Sequence, residues 1–231
     1  MAPPPLLLLR DHGAGARPLF LSPHLDDAVF SCGELIAACA RPLVATVFAG
    51  TPAWPCATAW DRACGFDDAR GAMARRRAED RAALAALQAG HRHLPFLDCQ
   101  YGRSPAPGEL AAAIEALLAR ARPALAFVPL GLHHDDHRLL ADAALLVRGA
   151  PPWVAYEELP YSLRQGEVQR RLAALARRGW VATPLAQRGR ARQRKRRAAL
   201  AYRSQCRAFG GAAALAWLDT PERYWALERR A

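Results

Sequence analysis

The sequence predicts an α/β fold in which a mostly parallel sheet is covered by helices on both faces, and three observations lead there. Apolar runs of strand length recur along the chain, each followed by a segment with helical spacing. The runs are apolar at successive positions instead of alternate ones, the mark of strands buried on both faces. At 231 residues the chain is also long enough for one α/β domain with a sizeable core, so 1–231 is expected to form a single domain.

The first run is Arg17 to Ser22, with Leu19, Phe20 and Leu21 in succession, after which Asp26 to Ala40 turns helical. Leu43 to Phe48 repeats the strand pattern. A loop rich in Pro, Gly, Trp and Cys then runs from Gly50 to about Asp67, a length that usually signals function. Ala69 to Ala89 sets Ala72, Met73, Leu84 and Leu87 on a helical period, His93 to Leu97 reads as a short strand, and Glu109 to Ala121 as a helix. Ala124 to Leu130 is the clearest strand, His137 to Val147 a helix, and Trp153 to Glu158 a late strand ahead of Pro160. Strands alternating with helices imply right-handed crossovers and hence a parallel sheet.

Composition narrows the class. No window approaches the roughly 18 apolar residues that span a bilayer, and Leu6 to Leu9 is too short for a secretory core, so a soluble cytoplasmic protein is expected. Cys32, Cys39, Cys56, Cys64, Cys99 and Cys206 form no C-x-x-C pair, which argues for reduced, packed thiols over a zinc knuckle or disulfide scaffold. Lys plus Arg is 32 against 21 Asp plus Glu, a net charge of +11, with Lys195 the single lysine. Such an excess attracts anions, although a chain rich in Ala and Arg throughout reaches it without any partner.

Two segments carry the chemistry. Pro23-His24-Leu25-Asp26-Asp27 follows the first buried strand, and Gly131-Leu132-His133-His134-Asp135-Asp136-His137 follows the Ala124 to Leu130 strand. Doubly wound sheets bind ligands beyond the carboxyl ends of their strands, so one fold would bring both segments to one edge. Two imidazoles and one carboxylate leave a divalent ion with open positions, able to acidify water and polarise a carbonyl. A neighbouring carboxylate can then take the water's proton. Read alone, the second segment is equally a loop whose Asp135 or Asp136 caps the following helix.

These segments resemble the motifs of the PIG-L/LmbE family of N-acetylglucosaminyl-type de-N-acetylases, which read [AS]-P-H-x-D-D or A-H-P-D-D and then H-x-D-H. The resemblance extends to Arg76-Arg77-Ala78-Glu79-Asp80 (R-x-x-E), to Leu97-Asp98, and to Lys195 through Tyr202-Arg203-Ser204-Gln205 (K…Y-x-S-Q), so it runs from about Leu19 to Gln205. It implies a Rossmann-like three-layer α/β/α fold with a mostly parallel sheet, and a zinc ion, or iron(II) in its place, on His24, Asp27 and His137. It further implies Asp26 as general base, His134 as donor to the tetrahedral intermediate, Asp136 as the residue orienting His134, and Arg76 and Asp98 as contacts to the substrate, a small-molecule amino-sugar conjugate. Leu25 and Ala28 stand where many members have Pro and Glu, which bears on substrate choice or rate.

Two other classes fit parts of the sequence. His24, Asp26 and a distant His match the 2-His-1-carboxylate site of non-haem iron oxygenases, which would require a jelly roll of short alternating strands. Arg188 to Arg197 would suit a non-catalytic polyanion-binding protein, but no base-reading motif accompanies the run and no nucleic-acid partner is expected. Trp54 and Trp60 are placed either to stack on a sugar or to anchor the long loop. Trp153, Trp180, Trp217 and Trp225 read as packing residues.

Overall fold

The computed structural model describes residues 17–186 and 191–230. Leu6 to Leu9, and Arg188 and Arg190 of the basic run, lie outside the described residues. Five parallel strands, β1 (Leu19–Ser22), β2 (Leu43–Thr46), β3 (Gly90–His93), β4 (Ala126–Pro129) and β5 (Trp153–Tyr156), are joined by β6 (Trp180–Leu185) and β7 (Tyr224–Arg229) in one sheet of order β3-β2-β1-β4-β5-β7-β6. β7 runs antiparallel to both β5 and β6. A mostly parallel sheet of this kind excludes the jelly roll that an iron oxygenase reading required.

The all-apolar runs have the expected cause. β1, β2, β4 and β5 are buried at every position. Along β1 the side chains alternate between two cores. Leu19 and Leu21 join Leu110 and Ile114 of α4 (Pro107–Ala121) and Leu140 of α5 (Asp135–Ala144). Phe20 joins Val29 and Phe30 of α1 (Asp27–Ala38), Leu84 of α3 (Ala69–Ala86) and Ala198 of α7 (Arg192–Ala199). Phe20 stacks on Phe127, its register partner in β4, with ring centroids 4.3 Å apart. The first core also takes Val168 and Leu175 of α6 (Glu167–Arg177), and the second Cys206 of α8 (Arg203–Ala208). No described helix is long and apolar enough to cross a membrane.

The third strand departs from the expectation. It covers Gly90–His93, not His93 to Leu97, and its middle two residues are exposed. It is an edge strand, and an edge strand need not be apolar, so the apolar Leu94 and Phe96 drew the reading past its end. The long loop contains a short helix, α2 (Ala59–Cys64), started by a reciprocal Thr58–Asp61 capping box.

Candidate active site and metal centre

Strand order reverses between β1 and β4, and the chain leaving the carboxyl end of each turns toward that crevice. After β1, Ser22 Oγ donates to the His24 carbonyl at 2.7 Å and accepts from the Ala28 N–H at 3.0 Å, while the His24 N–H donates to Asp27 Oδ2 at 2.8 Å. These bonds fix the turn that starts α1. After β4, Gly131 adopts φ +91°, where a Cβ would lie 3.1 Å from both Ala141 and Arg171, so glycine alone fits this turn without strain. The Leu130, Gly131 and Leu132 N–H groups then converge on the Glu158 carboxylate at 3.1, 2.8 and 2.9 Å.

Three donor atoms meet where the turns face each other. His24 Nδ1 lies 3.2 Å from Asp27 Oδ2, His137 Nε2 lies 3.2 Å from the same oxygen, and the two nitrogens are 3.3 Å apart. A tetrahedral ion with bonds of about 2.0–2.1 Å holds its ligand atoms about 3.3 Å from one another, so the donor set has the size and chemistry a zinc-like cation needs. Each imidazole is backed by a carboxylate on its far nitrogen: Asp136 Oδ2 stands 3.0 Å from His24 Nε2, and Glu158 Oε1 stands 3.2 Å from His137 Nδ1. A carboxylate accepts, so it keeps the proton on the nitrogen facing it and leaves the lone pair on the inner nitrogen.

The electrostatics also call for positive charge. Burial opposes a charged His24, yet Asp98, Asp136 and Asp27 outweigh it and hold the ring well above its usual pKa. His137 is likewise lifted to about 9, against burial, by Asp27 and Glu158. Asp27 is driven well below the carboxylate range, against burial, by the two imidazoles. Asp26 goes the other way: burial, then the charge of Asp27, push it up to about 7 against the pull of Arg76 and both histidines. Burial and the neighbouring His24 and His137 hold His134 down to about 4.

The structure brings all eight sequence-expected site residues to this edge, with one change of partner. The Asp136 carboxylate does not bond His134. It takes His24 Nε2 and the Cys99 N–H at 2.9 Å, and the link to His134 is the Asp136 backbone N–H donating to His134 Nδ1 at 3.2 Å. This follows from helix geometry, because His134 is the N-cap of α5 and Asp136 its second residue. With Nδ1 accepting, neutral His134 carries its proton on Nε2. Among the three successive arginines, Arg76 alone is buried, 3.6 Å from Asp98 Oδ2. Arg75 is exposed and pairs with Glu79, while Arg77 ties α3 to Ala49 O and Thr51 Oγ1. Leu25 and Ala28 are core residues, Leu25 packing under the long loop with Ala49, Met73 and Tyr101.

Glu158 was missed. It follows the buried strand β5 just as His24 follows β1, so the rule that found His24 pointed to it too. Trp60 anchors its loop, its Nε1 donating to Gln205 Oε1 at 3.1 Å and its ring resting edge-on against Phe209, whereas Trp54 is 44% exposed. Much of the described basic run is engaged within the chain: Arg194 donates to Ala37 O and Leu87 O, Arg196 pairs with Asp219, and fully buried Lys195 pairs with Glu222 at 3.1 Å.

The sequence model described as PIG-L, GlcNAc-PI de-N-acetylase, matches residues 19–147. No curated protein matches the chain. Among solved structures, the zinc-inhibited form of a teicoplanin deacetylase is 28% identical with a TM-score of 0.78, covering 92% of this chain and 98% of that one. The deacetylase of the antimicrobial reagent A40926 pseudoaglycone is 32% identical with a TM-score of 0.75, covering 94% and 98%. An N,N'-diacetylchitobiose deacetylase from Pyrococcus horikoshii, 18% identical with a TM-score of 0.55 over 85% of this chain and 73% of that one, shares the fold.

Proposed function

The chain belongs to the PIG-L family of GlcNAc-PI de-N-acetylases, and from that premise we propose that it removes the N-acetyl group from an N-acetylglucosamine-type sugar on a larger conjugate, with a divalent ion on His24, Asp27 and His137. The carrying observation is the triangle of His24 Nδ1, Asp27 Oδ2 and His137 Nε2, with edges of 3.2, 3.2 and 3.3 Å. Zinc fits this donor set, and iron(II) accepts the same ligands. The deacetylases named for teicoplanin and for the A40926 pseudoaglycone support a glycopeptide-borne sugar as the first conjugate class to try. The six free cysteines support a reducing, cytoplasmic setting.

A bound divalent ion would supply Lewis-acid polarisation of the acetamide carbonyl and acidification of the attacking water. Asp26, next in the chain to Asp27, takes the proton from that water as it adds to the carbonyl carbon. Burial and the charge of Asp27 both push the Asp26 carboxyl upward, which supports its role as the proton acceptor, while the ion would counter part of that rise. His134, neutral and protonated on Nε2, donates to the developing oxyanion, a role a neutral ring performs without repelling the cation. Asp26 returns its proton to the nitrogen as the C–N bond breaks, giving free amine and acetate. Among the described residues the buried Arg76 Nε has no hydrogen-bond partner, which supports a role for Arg76 as a donor to the sugar, with Asp98 beside it as an acceptor from a hydroxyl.

The test is metal analysis of the purified protein combined with amine release from N-acetylglucosamine, diacetylchitobiose, GlcNAc-phosphatidylinositol and an N-acetylated glycopeptide. Stoichiometric divalent metal and release from at least one member are expected. A protein that takes up no ion, or releases no amine from any of them, overturns the reading.

A further inference from the structure

Beside the donor triangle lies a second cluster that the proposed reaction uses only in part. Cys99 Sγ, a ring nitrogen of His134 and a carboxylate oxygen of Asp136 lie within 4.8 Å of one another. They come from two segments pinned together by the Cys99 N–H, which donates to Asp136 Oδ2 at 2.9 Å. Asp136 is completely buried, and while its Oδ2 serves His24 and Cys99, its Oδ1 has no hydrogen-bond partner among the described residues. An acidic oxygen stripped of water and left unpaired is costly. Cys99 and His134 are both half-buried, so the cluster can be reached from solvent.

We propose that Cys99, His134 and Asp136 form a second, weaker site for a thiophilic divalent cation of the zinc class, and that its occupation withdraws His134 from the substrate. This rests on the reading that His24, Asp27 and His137 hold the first ion. Thiolate and imidazole select zinc, cobalt or cadmium over magnesium or calcium. Binding converts the Cys99 thiol to a metal thiolate and releases its proton to solvent, with no change of oxidation state. The second ion binds more weakly for two reasons. Whichever nitrogen of His134 it takes, the bond from the Asp136 N–H is lost: binding at Nδ1 displaces it, and binding at Nε2 moves the ring proton to Nδ1. The His24 and His134 rings are also only 4.8 Å apart at their centroids, so two divalent ions repel. The site therefore fills when the cation is in excess, and it turns the proposed oxyanion donor into a ligand.

Cobalt(II) titration of the metal-free full chain tests this, because thiolate ligation gives a near-ultraviolet charge-transfer band that nitrogen and oxygen ligands do not. The expected result is a first equivalent without that band and a second, weaker equivalent with it. Cys99→Ser and Cys99→Ala should keep the first equivalent, which also shows that they fold, and lose the band, with second-site affinity down by at least about tenfold. His134→Asn should keep the first equivalent and weaken the second. A band on the first equivalent, a second equivalent without the band, or Cys99 variants that keep it overturns the proposal and leaves the first-site reading standing. Absence of a first equivalent sinks that reading as well.

Discussion

Replacing Glu158 with Gln isolates what the carboxylate behind His137 contributes, because the shape is kept and the charge removed. Oε1 accepts from the Gly131 N–H, the Leu132 N–H and His137 Nδ1, and Oε2 accepts from the Leu130 N–H at 3.1 Å. An amide with its oxygen at the Oε1 position keeps the first three and turns its NH2 on the Leu130 N–H. One buried donor then loses its acceptor, at about 1–3 kcal/mol of folding stability. The remaining acceptor is neutral, so His137 is less basic, and loss of such an outer partner lowers metal affinity about 10–100-fold. Glu158→Ala strips all three N–H groups at once and should destabilise the fold by more than Gln does. Competition against a chromophoric chelator reads the affinity, and thermal unfolding of the metal-free protein reads the stability. A folded Glu158→Gln protein that binds metal as tightly as wild type would refute the reasoning.

The other predictions concern the two sides of the same crevice and the core behind it. Asp26→Asn should retain metal and lose about 10²–10⁴-fold in turnover, whereas His24→Ala and His137→Ala should lose the metal itself, which elemental analysis of the three proteins distinguishes. In metal-free protein the Asp26 carboxyl should titrate near about 7 by carbon-13 NMR. A cation beside it favours the ionised form, so loading zinc should move that titration to lower pH, and the rate should fall as pH drops through the lowered value. A Cβ at Gly33 would lie 2.7 Å from Lys195 Cγ, and Lys195 is held by its buried pair with Glu222. Gly33→Ala should therefore destabilise the protein by roughly 1–3 kcal/mol in a denaturant titration, with no loss of metal binding.

The parallel half of the sheet was readable because burial on both faces leaves no polar position, as in Leu19-Phe20-Leu21 and Ala126 to Pro129. The last two strands were not. β6 has only half-buried and exposed positions and contains Pro184, and its partner β7 comes some forty residues later, beyond the reach of any local pattern. His24, Asp27 and His137 stood out because two His/Asp-rich segments each follow a buried strand. The partner of Asp136 did not, since sequence proximity favoured His134, whereas the first turn of α5 aims the carboxylate across the crevice at His24 and Cys99. Which of Arg75, Arg76 and Arg77 is buried depends on which face of α3 packs inward, and only the packed helix shows that it is Arg76.

The sheet's two borders bear on how the molecule avoids unwanted association. One is β3, four residues long with exposed His91 and Arg92, and the other is β6, where Pro184 offers no N–H. Short length, a charge and a missing donor each discourage a foreign strand from docking, so neither border is a ready template for endless stacking of copies. The interior strands that carry the chemistry are thus shielded laterally by polypeptide that would itself make a poor nucleus for aggregation.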